Sequence, residues 1–193
     1  WAHKILGYSQ SEGLIYIDCM CNCGKYYDNN GSIVEGTAIR VARVINQINA
    51  SHQKEAILHF NDLDKGKMLH LKSVIDMMDL QHVKIYYHST DANELLRLLV
   101  KSDLEKHNTL LFYDPYQADI DWNALEPFFN TWGEVIINHM VSDVIRGARN
   151  VNNPEKIAKY EKTYHKSIDE IIKTSNAPNN REEFEKMANS IIE

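Results

Sequence analysis

The sequence predicts an α/β protein built on a doubly wound, mostly parallel sheet. Strand-like and helix-like segments alternate five times along the chain, which is typical of a parallel sheet with helices on its faces. The strand-like segments are nearly continuous apolar runs, as expected for strands that are covered on both sides. Several of these runs end in an acidic residue, at the edge where open α/β sheets bind ligands. Together these features predict a Rossmann-like fold.

The first strand is predicted over residues 14–18 and is apolar up to its terminal Asp18. Residues 1–13 are expected to form the tail of a helix and a polar loop. Residues 19–31 are polar and rich in turn formers, so we expect a loop without regular structure there. A helix then begins near Thr37, a residue type that often caps helices, and its apolar residues recur at helical spacing: Ala38, Val41, Ala42, Ile45 and Ile48.

The remaining elements continue the alternation of strand and helix. Further strands are predicted over residues 55–60, 83–88, 109–113 and 133–139. Helices are predicted between them over residues 65–78, 91–106 and 122–130. Two final helices are predicted over residues 154–175 and 180–192, where interleaved lysines and glutamates are typical of solvent-exposed helical faces. We therefore expect one α/β domain over residues 1–150, with residues 151–193 as a C-terminal helical extension of that domain.

The composition is that of an ordinary globular protein, with 193 residues of which 44% are hydrophobic and 25% charged. The formal net charge of -6 gives no overall basic signature for nucleic acid, although it is compatible with a local basic groove. No apolar run reaches the length of a membrane span. The chain begins at Trp1 and not at methionine, as a piece of a longer protein would.

Three cysteines, Cys19, Cys21 and Cys23, lie within five residues of one another. An odd number of cysteines so close together is not a disulfide framework, so we expect a reducing, cytoplasmic compartment. A metal role is conceivable because alternate residues of an extended segment point to one side. A structural zinc ion needs four ligands, however, and no nearby cysteine or histidine pair supplies the fourth. We therefore expect small loop residues beside a ligand and no metal.

Acidic residues follow the ends of the predicted strands, at Asp18, Asp62, Asp91 and Asp114. An acid after the second strand is the usual partner of ribose hydroxyls, because a carboxylate can accept both hydrogen bonds of a diol. Asp91 could face an adenine amino group or cap its own helix, and both interpretations stay open. After the first strand only Gly24 stands where a nucleotide site would have several glycines, so a simple connecting loop is the alternative there.

The turn Asp114-Pro115-Tyr116 follows the fourth large strand. Amino-group methyltransferases use such an acid-proline-aromatic turn. The acid and a neighbouring backbone carbonyl accept hydrogen bonds from an exocyclic amine, while the aromatic ring stacks on the base. Catalysis then consists mostly of positioning. An ordinary Asp-Pro turn at the end of a strand is the alternative.

Several short segments, taken in their order and spacing, resemble the three-Cys-motif partner (TcmP) family, which has a methyltransferase-like fold. The resemblance spans roughly residues 1–150 and is carried by Trp122 and by residues 16–18, 24–26, 36–38, 91–94, 111–116 and 142–146. It implies an α/β fold of the S-adenosylmethionine-dependent methyltransferase type. The family name refers to cysteines of the partner protein, so the cysteines of this chain are not that motif.

The resemblance, taken together with the strand-end acids and the turn of residues 114–116, predicts a cofactor, partners and a set of site residues. The cofactor would be S-adenosylmethionine, with Asp18, Asn22 and Gly24 lining its methionine side, Asp62 holding the ribose and Asp91 the adenine. Asp114, Pro115 and Tyr116 would present the acceptor amine. A three-Cys-motif protein is the partner that the resemblance implies, and the turn of residues 114–116 predicts a nucleobase of nucleic acid as the substrate.

The chain departs from the family pattern at two glycine-rich places and at the end of the sheet. Asn22 replaces the first glycine of the loop after the first strand, and residues 36–38 read Gly-Thr-Ala where the family has Gly-Ser-Pro. A complete methyltransferase-like sheet closes with two more strands, whereas residues 151–193 predict helices. The alternative hypothesis is therefore a catalytically degenerate, partner-binding module. A nicotinamide-binding domain is a weaker third interpretation, because the glycine fingerprint is absent.

Overall fold

The computed structural model describes residues 1–100, 104 and 107–192. In chain order the strands are β1 (Gly13–Asp18), β2 (Lys25–Tyr27), β3 (Ile33–Glu35), β4 (Glu55–Asn61), β5 (Lys84–His88), β6 (Asn108–Tyr113) and β7 (Gly133–Ile137). The helices are α1 (Ala2–Gly7), α2 (Thr37–His52), α3 (Lys65–Asp76), α4 (Ala92–Leu99), α5 (Trp122–Phe129), α6 (Val141–Ala148), α7 (Pro154–Tyr164), α8 (Ile168–Ser175) and α9 (Asn180–Ile192). The predicted helix end at residue 106 lies outside the described residues.

Five strands form one parallel sheet in the order β5-β4-β1-β6-β7. The central strand β1 is buried at every position, which explains its uninterrupted apolar sequence. The predicted α/β architecture is confirmed, because this sheet is flanked by helices and is compatible with a Rossmann-like fold. The chain runs outwards from β1 through β4 to β5 and then returns to the other side of β1 to form β6 and β7. That reversal creates a topological switch point between β1 and β6.

The described residues form two compact units. The first contains those of Trp1–Tyr113 and Ala124–Ile137, and therefore the whole parallel sheet. The second contains Asp114–Asn123 and the described residues from Asn138 onwards. The predicted domain boundary at residue 150 stays a prediction.

Helices α2 and α3 bury apolar side chains in the core of the first unit. Helix α2 buries residues that lie on one helical face: Ala38, Ile39, Ala42, Ile45 and Asn49. Its N-cap is Gly36, without a side-chain cap, so the predicted capping role of Thr37 is wrong. Thr37 is instead the first helical residue, and the helix starts where the chain passes closely over Gly24.

The prediction that residues 19–31 lack regular structure is wrong, because β2 pairs with β3 in an antiparallel hairpin. The turn of this hairpin is closed by Asp28, whose Oδ1 accepts hydrogen bonds from the backbone N–H groups of Asn30 and Ser32. Gly31 supplies a positive φ of 76°. The strands are only three residues long, too short to show a strand period against so many turn-forming residues.

The second unit has its own core, formed mainly by helices α6 to α9. Its buried residues include Val144, Tyr160, Tyr164, Ile171 and Phe184. The prediction of one helix over residues 154–175 is wrong, because α7 ends at Tyr164, where His165 adopts a left-handed φ of 51°. Helix α8 then starts with a capping box. No described helix is long and apolar enough to cross a membrane.

Candidate functional site

Asn61 organises the carboxyl edge of the sheet in the first unit. It ends β4, is 1% exposed, and its side-chain amide donates hydrogen bonds to the backbone oxygens of Cys19 (2.9 Å) and Thr90 (3.0 Å). Its Oδ1 accepts a hydrogen bond from the Thr90 N–H at 3.2 Å. The backbone oxygen of Asn61 accepts a further bond from the Cys21 N–H at 2.8 Å. One buried residue thereby joins the segments that follow β1 and β5.

Asp18 lies at this edge but is almost closed off from solvent, with 2% of its surface exposed. Its carboxylate accepts hydrogen bonds from the Met20 N–H at 3.3 Å and from the Tyr16 hydroxyl at 3.5 Å. Burial raises the pKa of the Tyr16 phenol, and the nearby Asp18 charge raises it further. Asp18 therefore holds the start of the loop, and a direct ligand contact would require the loop to move.

The loop after β1 makes a left-handed turn at Asn22 and Gly24, which have φ values of 60° and 77°. Asparagine tolerates this conformation better than most residues, which is how Asn22 can stand where a glycine is expected. Gly24 cannot be replaced easily, because a Cβ there would lie 2.4 Å from a Leu71 methyl carbon. The Gly24 backbone oxygen accepts a bond from the Gly36 N–H at 2.6 Å. The turn is thus packed tightly against the start of α2.

Asp62 and Asp91 follow the two neighbouring strands β4 and β5 and are engaged differently. Asp62 Oδ1 accepts a hydrogen bond from the Asp64 N–H at 2.9 Å, while Oδ2 lies 3.6 Å from Lys67 Nζ. Asp91 caps α4, because its Oδ1 accepts bonds from the N–H groups of Asn93 (2.9 Å) and Glu94 (3.2 Å). The capping interpretation of Asp91 is therefore confirmed, and its contact with adenine stays a prediction.

A histidine pair joins β4 and β5 near the same edge. His59 Nδ1 and His88 Nε2 are 3.0 Å apart, and the His59 ring also stacks on Tyr86. When both rings are neutral, one of these two nitrogens carries a hydrogen and donates it in a hydrogen bond to the other nitrogen. Burial lowers the pKa of His59 from 6.5 to about 4, with a further contribution from His88. Burial also lowers the pKa of His88.

The cysteines of the loop are free thiols and two of them are buried. Burial raises the pKa of Cys19 and Cys21, and the charge of Asp18 raises both further. Protonated thiols are poor nucleophiles and poor metal ligands. In the described part of the chain, no three or more histidine, cysteine, aspartate or glutamate residues are grouped so as to hold a metal ion.

In the second unit, Asp114 is paired with Asn138. The Asn138 amide nitrogen donates a hydrogen bond to Asp114 Oδ1 at 2.6 Å. Pro115 is buried, whereas the ring of Tyr116 is 93% exposed. An almost fully exposed aromatic ring beside a carboxylate that is held in place offers a stacking face and a hydrogen-bond acceptor.

His139, which follows Asn138, fixes the position of this segment. His139 Nε2 lies 2.7 Å from the hydroxyl of the buried Tyr164, whose ring packs on Phe184. Burial lowers the pKa of His139, so the ring stays neutral near neutral pH. A neutral imidazole nitrogen can accept a hydrogen bond from the Tyr164 hydroxyl, and this bond anchors the segment to the helical core.

A cavity of about 550 Å³ lies at the opposite, amino-terminal edge of the sheet and is lined by Tyr8, His107 and Trp132 among others. His107 and Trp132 directly precede β6 and β7. None of the predicted site residues lines this cavity. The candidate site therefore rests on side-chain geometry and not on this cavity.

The predicted site residues are divided between the two units. Asp18, Asn22, Gly24, Asp62 and Asp91 belong to the first, near the carboxyl ends of three neighbouring strands, and the turn of residues 114–116 belongs to the second. Sequence reasoning missed two asparagines, Asn61 and Asn138. Both stand at or directly after a strand end, the same positional signal that identified the acids.

In comparisons with known proteins, no family model matches this chain, and no curated protein matches it. The fold class is that of an α/β protein with a parallel, Rossmann-like sheet. The resemblance to the three-Cys-motif partner family stays a prediction.

Proposed function

We propose that this chain is an S-adenosylmethionine-dependent methyltransferase that acts on an exocyclic amino group of a nucleobase. The observation that supports it best is the turn of residues 114–116, in which the Asp114 carboxylate is held at 2.6 Å by Asn138 and Tyr116 is 93% exposed. This turn directly follows β6, a strand at the topological switch point, which is where doubly wound sheets bind ligands.

S-adenosylmethionine would supply a methyl group on a positively charged sulfur. Asp62 fits a role in holding its ribose, because a carboxylate has about four acceptor positions, of which Asp62 uses one for the Asp64 N–H and directs another oxygen towards Lys67 at 3.6 Å. The left-handed turn at Asn22 and Gly24 would carry the backbone past the methionine part. We assign Asp18 to holding that turn in place, because its carboxylate is buried and already accepts a hydrogen bond from the Met20 N–H.

At the acceptor side, Asp114 would accept one N–H of the amine and the Pro115 carbonyl the other, while Tyr116 stacks on the base. Two acceptors in fixed directions would orient the amine lone pair, so that most of the rate enhancement comes from alignment. No strong base is needed for this role. The carboxylate only has to be ionised and correctly directed.

Calorimetric titration of the reduced protein with S-adenosylmethionine and S-adenosylhomocysteine tests this proposal. We expect a dissociation constant in the micromolar range, and a loss of at least about tenfold in Asp62→Ala, because hydrogen bonds to a charged group are lost. Replacement of the exposed Asn152 by alanine is the control and should leave the affinity unchanged. Absence of binding by a folded wild-type protein would overturn the enzyme proposal.

A second candidate function is a partner-binding module without catalysis. It is favoured by the hairpin of β2 and β3, whose cross-strand pair Tyr27 and Ile33 is 74% and 61% exposed. Two apolar side chains side by side in water are typical of a protein-interaction surface. The buried Asp18 favours the same candidate, because it is poorly placed to contact a cofactor. The partner implied by the resemblance is a three-Cys-motif protein.

A further inference from the structure

Asn138 stands opposite Asp114 at the ends of two neighbouring parallel strands. The last register pair of β6 and β7 is Tyr113 with Ile137, and the next residues of the two strands are Asp114 and Asn138. The Asn138 Nδ2 donates to Asp114 Oδ1 at 2.6 Å. The contact therefore follows from the strand register and joins two residues that are 24 positions apart in sequence.

The polarity of this hydrogen bond is fixed by its two groups. An amide nitrogen only donates and an ionised carboxylate only accepts, so the Asn138 amide cannot turn over without placing oxygen against oxygen. The bond occupies one oxygen of Asp114 and restricts rotation of the carboxylate about its Cβ–Cγ bond. The direction of the second oxygen, Oδ2, is thereby set by Asn138.

The geometry points to Asn138 as a positioning residue, which fixes the Asp114 carboxylate so that Oδ2 receives an N–H of the acceptor amine. This inference rests on the proposed function, in which Asp114 binds that amine. Supporting groups that hold a reacting group within a few tenths of an ångström are needed where alignment provides the rate. A contact that merely ties the two strand ends together would not depend on which group is the donor.

An exchange of the two side chains separates these alternatives. In Asp114→Asn alone, the new amide turns its oxygen towards Asn138 Nδ2 and presents its NH₂ to the acceptor amine, donor against donor. In the double variant Asp114→Asn with Asn138→Asp, the hydrogen bond is kept with donor and acceptor exchanged. The amide at position 114 then presents its oxygen to the amine, as Oδ2 does in the wild type.

The measurement is methyl transfer from labelled S-adenosylmethionine to a mixed-sequence, single-stranded oligodeoxynucleotide, with binding of the same fluorescent oligonucleotide as a second readout. We expect Asp114→Asn to lower kcat by about a hundredfold and the exchanged pair to recover at least about tenfold of that loss. Asn138→Ala should lower kcat by about tenfold with little change in KM, because it removes alignment and not a substrate contact. Asn152→Ala is the control, and all variants should bind S-adenosylmethionine as the wild type does.

Two failures are distinguishable. Suppose that the wild type is active and that Asp114→Asn and the exchanged pair have equal rates. This result would overturn the positioning role of Asn138 and leave the proposed function standing. A folded wild-type protein that transfers no methyl group to the oligonucleotide would overturn the proposed acceptor and this inference together.

Discussion

At the scale of single residues, a buried asparagine and a glycine shape the carboxyl edge of the sheet more than the acids do. Asn61 joins the segments after β1 and β5 through hydrogen bonds that only an amide can make, since it donates twice and accepts once. Gly24 lets the loop pass against Leu71, where a Cβ has no room. The acids that the sequence made conspicuous are partly engaged in holding backbone, as Asp91 does at the start of α4.

The replacement of Asn61 by alanine should lower the free energy of unfolding by about 3 kcal/mol, because several buried backbone groups lose their partners at about 1–3 kcal/mol each. Urea denaturation of the variant and the wild type measures this directly. Asn61→Asp should be at least as destabilising, since a carboxylate cannot donate to the Cys19 and Thr90 oxygens. A loss below about 1 kcal/mol in both variants would show that these bonds are not needed for stability.

At the scale of elements, the strands were predictable and the short insertions were not. The five parallel strands could be read from the sequence because each is a short run rich in apolar residues. Burial at every position holds only for the central β1, whereas β5 and β7, at the two edges of the sheet, contain exposed and half-buried residues. The hairpin of β2 and β3 gives no such signal, because its strands are three residues long and their residues are exposed or only half-buried. The break between α7 and α8 also has no clear signal in the sequence. It depends on one left-handed residue, His165, within a segment of otherwise helical composition.

The hairpin gives a prediction that separates the two candidate functions. Tyr27→Ser and Ile33→Ser should abolish copurification with a co-expressed three-Cys-motif protein if the hairpin is the interaction surface, because they remove its exposed apolar pair. Both variants should remain folded, since the side chains are exposed. Leu63→Ser is the matched control, because Leu63 is equally exposed outside the hairpin. Undiminished binding by the hairpin variants would exclude the hairpin as the interaction surface.

At the scale of the whole molecule, stability should depend on pH through its histidines. The folded pKa of His59 is about 4, below its ordinary value of 6.5, and the pKa values of His88 and His139 are shifted in the same direction. The folded protein therefore binds fewer protons than the unfolded chain at mildly acidic pH. The contribution of His59 to stability is fully present above pH 6.5 and is lost as the pH falls towards 4.

The contribution of His59 to this dependence can be isolated by measuring unfolding of the wild type and His59→Gln at several pH values. Each histidine that stays neutral in the fold contributes a slope of up to about 1.4 kcal/mol per pH unit between the two pKa values. We expect the wild type to lose more stability than His59→Gln between neutral pH and pH 5. Replacing the exposed His3 by glutamine should leave the wild-type dependence intact, and identical curves for wild type and His59→Gln would contradict the prediction.

The sequence by itself determined that this protein has a parallel α/β sheet and that polar residues follow its strands, because the apolar runs, the alternation with helices and the polar residues at the strand ends are all local patterns. Only the tertiary structure decided what those polar residues do. The bonds of Asn61 to Thr90 and of Asn138 to Asp114 join residues from different strands, so they depend on strand order and register. Burial likewise separates Asp18, which is 2% exposed, from Asp62, whose side chain is 13% exposed and lies 3.6 Å from Lys67, although both are aspartates that end or follow a strand.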